Sequence, residues 1–435
     1  MKKILALLLA VIMVVSLVAC GTASNNNAGN NNAGNNNASN NSNNQNNNSN
    51  NQPNTPSGPV TLKVWGPAED QTDGGWLLAM EEAFKEANPD LDITFENSVC
   101  SEGEAQGLVT ADPSAAGDVY MFANDQLGSL INAGALARLG GAALEQVQAD
   151  NSQVLIDSVT HVDGNIYGLP VTNNTWFMYY NKTVFSEEDV KNLDTMLTKG
   201  KVAFPWGVGW YGGAFFFANG GTMFGNGSDA SAGIQFGKAN GGEEAALKMV
   251  QLGANPNFVD DANGMGIAAL KEGTVGAAFS GSWDAAGLRA ALGDDLGAVQ
   301  LPMVEIGGEM KQMKSFAGSK AVGVNPHSAN PGIAVKFAAF LASKDAQKAR
   351  YEMRGVIPAA TELANDEVIK ADMIAVAEIN TMANTAVLQP TIAEMSKFWD
   401  PMGKFGGMIV TGDITEENYK EQVEQLQAAF NGESL

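Results

Sequence analysis

The sequence predicts an α/β protein whose body holds two domains. Three observations predict it. From Val60 onward, short alternating or apolar runs are followed by amphipathic helical stretches, the order that builds a parallel or mixed sheet. The body, residues 60–435, is longer than one hydrophobic core usually serves. Hydrophobic residues make up 45% of the chain, enough to fill the cores of a globular body.

The first strand, Val60-Thr61-Leu62-Lys63-Val64-Trp65, alternates and stops at Gly66-Pro67. Trp76 to Ala87 places Leu77, Met80 and Phe84 at helical spacing with Glu81, Glu82, Lys85 and Glu86 outside, and Asn88-Pro89 ends it. Leu91 to Phe95 alternates as a second strand, and Asp118 to Phe122 is a short apolar strand that leads through Ala123-Asn124-Asp125-Gln126 into a helix. Trp176 to Tyr180 is another strand-like run. In the second half, Glu243 to Leu252, Gly264 to Glu272, Ile333 to Ala342 and Thr415 to Phe430 are expected as helices. Gly276 to Ser280 is expected as a buried strand ending at Gly281-Ser282-Trp283, and Gly323-Val324-Asn325-Pro326 closes another. In such sheets ligands sit beyond the carboxyl ends of strands, which singles out Glu69-Asp70-Gln71 and Asn124-Asp125.

Ahead of the body stands an export signal. Lys2 and Lys3, the apolar run Ile4 to Val15 and the approach Leu17-Val18-Ala19 make residues 1–19 a signal peptide, too short for a comfortable span. Cys20 follows the cleavage point directly, the pattern of a bacterial lipoprotein, so lipidation at Cys20 is expected; a plain signal peptide or an N-terminal anchor is the alternative. The rest of residues 20–59 is Asn-rich and has no apolar period, so it is expected as a flexible tether.

Composition excludes several functions. A formal net charge of -23 argues against nucleic acid. Beyond Cys20 the only cysteine is Cys100, so the mature chain has neither an intrachain disulfide nor a cysteine-built zinc site. No metal-ligand spacing stands out and no glycine pair sits in a nucleotide-loop context, so no metal or cofactor is expected.

Four patches, in order and spacing, carry a resemblance. They are Asp118 to Asp125 with Ala133-Gly134-Ala135-Leu136; Tyr167-Gly168-Leu169-Pro170 with Tyr179-Tyr180-Asn181-Lys182; Ile267 to Phe279 with Gly281-Ser282-Trp283; and Met395 to Met402. Behind the lipoprotein signal, this order resembles the extracytoplasmic solute-binding proteins of ABC importers, of the maltose/maltodextrin-binding type, over nearly all of the chain from Val60. The resemblance implies a two-lobed periplasmic-binding-protein-like fold with a hinge and an interlobe ligand cleft. The implied lobes are residues 60–172 plus 320–373 and residues 174–318 plus 374–435, with crossings near Asn173, Ser319 and Ile374. It implies capture of a maltose/maltodextrin-like oligosaccharide by closure of the lobes and delivery to membrane permease subunits. The implied receptor is a monomer, lipid-anchored at the outer face of the cytoplasmic membrane.

The expected ligand-binding residues combine that resemblance with side-chain chemistry. Aromatic rings meet the C–H faces of sugars, and carboxylates and amides meet the hydroxyls. Trp210, Tyr211, Trp283 and Trp399 match family stacking positions, with core packing as the alternative. Trp176 stands between hinge and core, Trp65 at the rim or in the structure, and Trp76 and Trp206 are unassigned. Asp125 matches a family carboxylate, with a helix N-cap as the alternative use. Glu69 and Asp70 are cleft candidates or solvated loop acids. Asn174 stands where many relatives carry a carboxylate, and Gln126 where some carry a basic residue. Both departures imply a similar sugar held with fewer charge-assisted bonds, or a different oligosaccharide.

No enzyme is expected. Glycoside hydrolysis needs two carboxylates flanking one bond, whereas Glu69-Asp70 and Asp260-Asp261 are adjacent acids that point apart. The alternative functions are a receptor for another oligosaccharide, and a surface sugar-sensing or adhesion lipoprotein on the same fold.

Overall fold

The strands of the computed structural model, which describes residues 58–261 and 264–433, collect into two sheets. The expected signal peptide, Cys20 and nearly all of the tether lie outside the described residues. In the first sheet, β1 (Val60–Gly66) pairs in parallel with β2 (Ile93–Val99) and with β3 (Val119–Ala123). β3 is central and wholly buried, as its unbroken apolar run requires, whereas edge strand β2 buries little beyond Ile93. The helix Trp76–Ala87 turns Trp76, Leu77, Met80 and Phe84 inward. Phe84 meets Phe337 and Phe340 of the helix Pro331–Leu341 edge-on, at centroid distances of 5.1 and 5.4 Å.

In the second sheet, β5 (Phe177–Asn181) lies between β10 (Ala277–Ser280) and β11 (Leu296–Val299), antiparallel to both. β10 continues in parallel to β6 (Val202–Phe204) and β9 (Phe258–Asp260). Two ribbons decorate this half: β7 (Thr222–Met223) with β8 (Ile234–Gln235), and β12 (Met303–Ile306) with β13 (Glu309–Gln312). Trp176 belongs to the core here, packed among Phe204, Tyr211 and Phe279. Trp206 is buried flat against Phe215, and Trp76 is buried in the first half with its indole donating to the Ala346 carbonyl at 2.7 Å.

The two halves share their connecting strands. β4 (Leu169–Asn174) pairs antiparallel with β14 (Ser315–Val324) in the first sheet, and only Thr175 and Trp176 separate it from β5 in the second. Thr175 Oγ1 donates to the Phe316 carbonyl at 2.7 Å, binding the outgoing crossing to the returning one. The late residues of β14 pair with β3, and its first three pair with β15 (Ala386–Leu388). β15 pairs with Ser315–Ala317 of β14, residues that like β15 fall within the stretch expected in the second lobe, while the rest of β14 continues into the first sheet. The helix Met373–Asn384 makes a third link: Ile374 and Ala377 pack with Phe177 and Tyr179, while Ala375 packs with Tyr351 and Ile357.

One helix starts later than expected, and another was not among the expected elements. The last begins at Tyr419, because Asn418 accepts from the Thr415 amide at 2.7 Å and holds the preceding residues in a turn. The Pro/Met-rich segment around Trp399 is a helix, Ser396–Thr411, with Pro401 inside it. The carbonyl that Pro401 leaves unpaired in the helix ladder belongs to exposed Lys397, where solvent can satisfy it.

Candidate functional site

Close packing of two helices positions half of the site. The helix Gly209–Ala218 crosses the helix Ser396–Thr411 at glycines. A Cβ on Gly209 would lie 2.7 Å from the Trp399 carbonyl oxygen, and one on Gly406 only 1.8 Å from that of Trp206, so neither position admits a side chain. This approach brings Trp210 and Trp399 to the mouth of one cavity. Trp283 reaches it from the turn after β10, with its ring folded over Gly281. It is 50% exposed, open to a ligand.

Asp125, Asn174, Trp210, Trp283 and Trp399 all line this cavity of about 400 Å³. Gly103, Ala123, Lys320 and Gln389 complete its wall, so both halves and their linking strands contribute. Trp210 and Trp283 lie 5.9 Å apart at 33°, forming a bent aromatic platform. Lys320, on β14, places its Nζ 5.9 Å from the Trp283 ring centre and 3.7 Å from Glu102. Sequence reasoning missed Lys320 and Gln389, because neither belongs to a motif and only strand pairing brings them to the cleft.

Asp125 sits on the 3-10 turn Asn124–Gln126 at the carboxyl end of β3. The following helix, Leu127–Asn132, has no side-chain cap, so Asp125 is not serving as an N-cap there. Enclosure pushes its carboxyl up to about 6, with its own backbone amide and then the nearby Gln389 side chain drawing it partway back. One edge stays accessible, and the residue is half-buried. Gln126, by contrast, is buried and structural: it accepts from the Gln106 amide at 2.8 Å and donates to the Gly103 carbonyl at 2.8 Å.

Three expected residues lie elsewhere. Asp70 is fully buried and its carboxylate is engaged by arginines: Arg350 Nη2 at 2.6 Å and Arg354 Nη1 at 2.6 Å. Arg350 also reaches Glu102 at 3.1 Å and lies over the Trp76 ring at 5.0 Å. Asp70 thus stabilises the first half and presents no oxygen to a sugar. A neighbouring turn residue in sequence cannot reveal this, because the arginines come from 280 and 284 positions away. Glu69 is exposed on the same turn and is absent from the cavity wall. Tyr211 lines an adjoining cavity of about 440 Å³ that shares Trp283, and its ring packs 4.8 Å from Trp176.

Other buried acids are accounted for by packing. Burial opposes the Glu102 carboxylate, but Lys320 and Arg350 more than offset it and its pKa ends below the usual range. Glu378, on the linking helix, is pushed up to about 8 by burial despite Ser282, Lys320 and Asn173 nearby. Cys100 is buried, and its thiol is pushed up to about 11, which makes it a poor nucleophile. No group of His, Cys, Asp and Glu suited to a metal ion occurs among the described residues.

A family model described as bacterial extracellular solute-binding protein matches residues 79–377. The chain belongs to that family. Among curated solute-binding relatives, it is 28% identical over 337 residues to the galactooligosaccharide-binding protein of Bacillus subtilis (strain 168), covering 72% of this chain and 78% of that one. It is also 28% identical over 304 residues to the maltooligosaccharide ABC transporter solute-binding lipoprotein of Streptococcus pneumoniae (strain ATCC BAA-255 / R6), covering 65% and 69%. A solved structure with acarbose is 47% identical, superposes with a TM-score of 0.83 and covers 86% of this chain and 99% of its own. The two-lobed α/β fold of this solute-binding protein is therefore that of its relatives.

Proposed function

We propose that the protein captures a maltodextrin-like oligosaccharide between its lobes and delivers it to the permease of an ABC importer. The observation that carries this is the cavity where Trp210, Trp283 and Trp399 face Asp125, Asn174 and Lys320. Such a wall suits a chain of sugar rings, with indoles on the C–H faces and polar groups on the hydroxyls. Likeness to the acarbose-bound structure and to the maltooligosaccharide lipoprotein supports an α-glucan; the galactooligosaccharide-binding relative supports a second sugar class. The lobes are residues 60–172 plus 320–373 and residues 174–318 plus 374–435, hinged at Asn173, Ser319 and Ile374. Closure requires ligand contacts on both lobes, since only differential affinity shifts an open–closed equilibrium. The sugar leaves unchanged, with no covalent chemistry.

The chain is held to the membrane by lipid on Cys20, with residues 20–59 as spacer. Replacing Cys20 with Ala releases the protein from the membrane fraction or blocks its processing; unaltered partitioning and maturation would refute the anchor. The sugar is tested by thermal shift against maltose, maltotriose, longer α-glucans, acarbose, galacto-, xylo- and manno-oligosaccharides, because a bound ligand stabilises the fold by mass action. Stabilisation by α-glucans is expected. Stabilisation by galacto-oligosaccharides alone would reassign the ligand, and cleaved sugar on chromatography would overturn the receptor.

A further inference from the structure

Strand β14 is buried at every residue but one. The exception is Lys320, whose side chain is 29% exposed and lines the cavity. It pairs with Ala123 at the end of β3, two residues before Asp125. The register of its pairing with β4 shifts between Lys320 and Ala321, and such irregularities re-aim side chains. The ammonium is held from two sides. Glu102 Oε2 lies 3.7 Å from Nζ, and the Trp283 ring centre lies 5.9 Å from it. Glu102 is itself fixed. Its backbone carbonyl accepts from the Ala123 amide at 3.1 Å and from Gln126 Nε2 at 3.0 Å, and its Oε1 accepts from Arg350 Nη2 at 3.1 Å. At 3.7 Å the Glu102–Lys320 pair attracts without a hydrogen bond, so Glu102 steers the ammonium and consumes none of its N–H donors. Among the described residues of the cavity wall, Lys320 is the one cation and Asp125 the one acid. A sugar hydroxyl both donates and accepts, so an ammonium and a carboxyl on one wall suit a pair of neighbouring hydroxyls.

We propose that Lys320 is the hydrogen-bond donor of this cleft and Glu102 its positioning residue. A sugar ring seated on Trp283 lies beside the ammonium, which donates to one hydroxyl oxygen while the Asp125 carboxyl accepts from the next. The cleft thereby selects ligands in which vicinal hydroxyls border a C–H face. The part of Lys320 in sugar capture rests on the oligosaccharide reading above; the contact of Glu102, Lys320 and Trp283 does not. Removing an ammonium from water is costly without a partner, and Glu102, held from behind by Arg350, offsets that cost.

The test uses the purified full chain. Lys320→Met keeps an apolar stem and removes the charge and the donors, whereas Lys320→Arg keeps both. Maltotriose affinity is measured by calorimetry, and tryptophan emission is recorded without sugar. In Lys320→Met the affinity falls about ten- to hundredfold, the scale of a hydrogen bond to a charged group, with the melting temperature near that of the wild type. Lys320→Arg restores most of it. Emission shifts in Lys320→Met, and the shift vanishes when Trp283→Phe is added, because the ammonium lies against that ring. Glu102→Gln also weakens binding, but adding it to Lys320→Met costs no further affinity, since Glu102 acts through Lys320. Asp125→Ala and Lys320→Met together lose less than the sum of their single losses, and full additivity overturns the shared hydroxyl pair. A merely structural Lys320 would lower the melting temperature and leave affinity unchanged, and that result overturns the donor. Equal losses from Glu102→Gln with and without Lys320 overturn the positioning. A wild type that shows the Trp283-dependent emission shift and binds galacto-oligosaccharide but not maltotriose keeps the contact and overturns the α-glucan reading.

Discussion

Asp70→Ala separates a structural acid from a ligand acid. In the structure, Asp70 accepts from both Arg350 and Arg354 at 2.6 Å and is fully buried. Arg350 has a side chain only 3% exposed, and its Nη1 has no hydrogen-bond partner. Removing Asp70 leaves that guanidinium with Glu102 alone, at 3.1 Å. Breaking a buried pair from one side costs about 3–5 kcal/mol, because the remaining charge is stranded away from water. The body of roughly 375 residues has an unfolding entropy of about 0.8 kcal/mol/K at about 2.1 cal/mol/K per residue. The expected fall in melting temperature is therefore about 4–6 °C, read by circular dichroism or scanning calorimetry. Maltotriose affinity at 25 °C, where the variant stays folded, should match the wild type. Replacing Asp70 and Arg350 together by apolar residues should cost less than the two single losses summed. An unchanged melting temperature with lost affinity would refute the reasoning and return Asp70 to the cleft.

Trp283→Ala and Trp399→Ala should each weaken oligosaccharide binding by about 1–3 kcal/mol and leave the fold intact, as both rings border the cavity; a large drop in melting temperature with unaltered affinity would place them in the core instead. Wild-type affinity should decline as pH falls through about 6, because protonating Asp125 removes acceptor capacity for sugar hydroxyls, and a profile flat from pH 5 to 8 would contradict its role. Glu378 has a folded pKa of about 8 against an ordinary 4.5, so its contribution is fully present below about 4.5 and is lost as pH rises through 8. Glu378→Gln should accordingly equal the wild type near pH 4 and exceed it by a few kcal/mol at pH 8, at about 1.4 kcal/mol per tenfold; denaturation showing the variant less stable at pH 8 would disprove this.

The sequence by itself determined the elements whose cause is local. Period and punctuation are local, so the alternation of β1, the apolar run of β3 and the helix Trp76–Ala87 were readable before any contact was known. Trp283 and Asp125 were readable for the same reason, each standing just past the end of a strand. Only the tertiary structure decided which polar groups line the cavity. Asp125 and Asp70 look alike in sequence, both acids on short turns after a strand. One lines the cavity, and the other is neutralised by arginines from a helix distant in sequence. Lys320 reaches the cavity because β14 pairs there with β3 and β4, and Gln389 because it follows β15, which pairs with the start of β14. Trp399 and Trp210 border one cavity because glycines where their helices meet let the backbones approach. Burial and charge pairing are sums over the whole chain, so an acid's role is settled by whatever the fold packs against it.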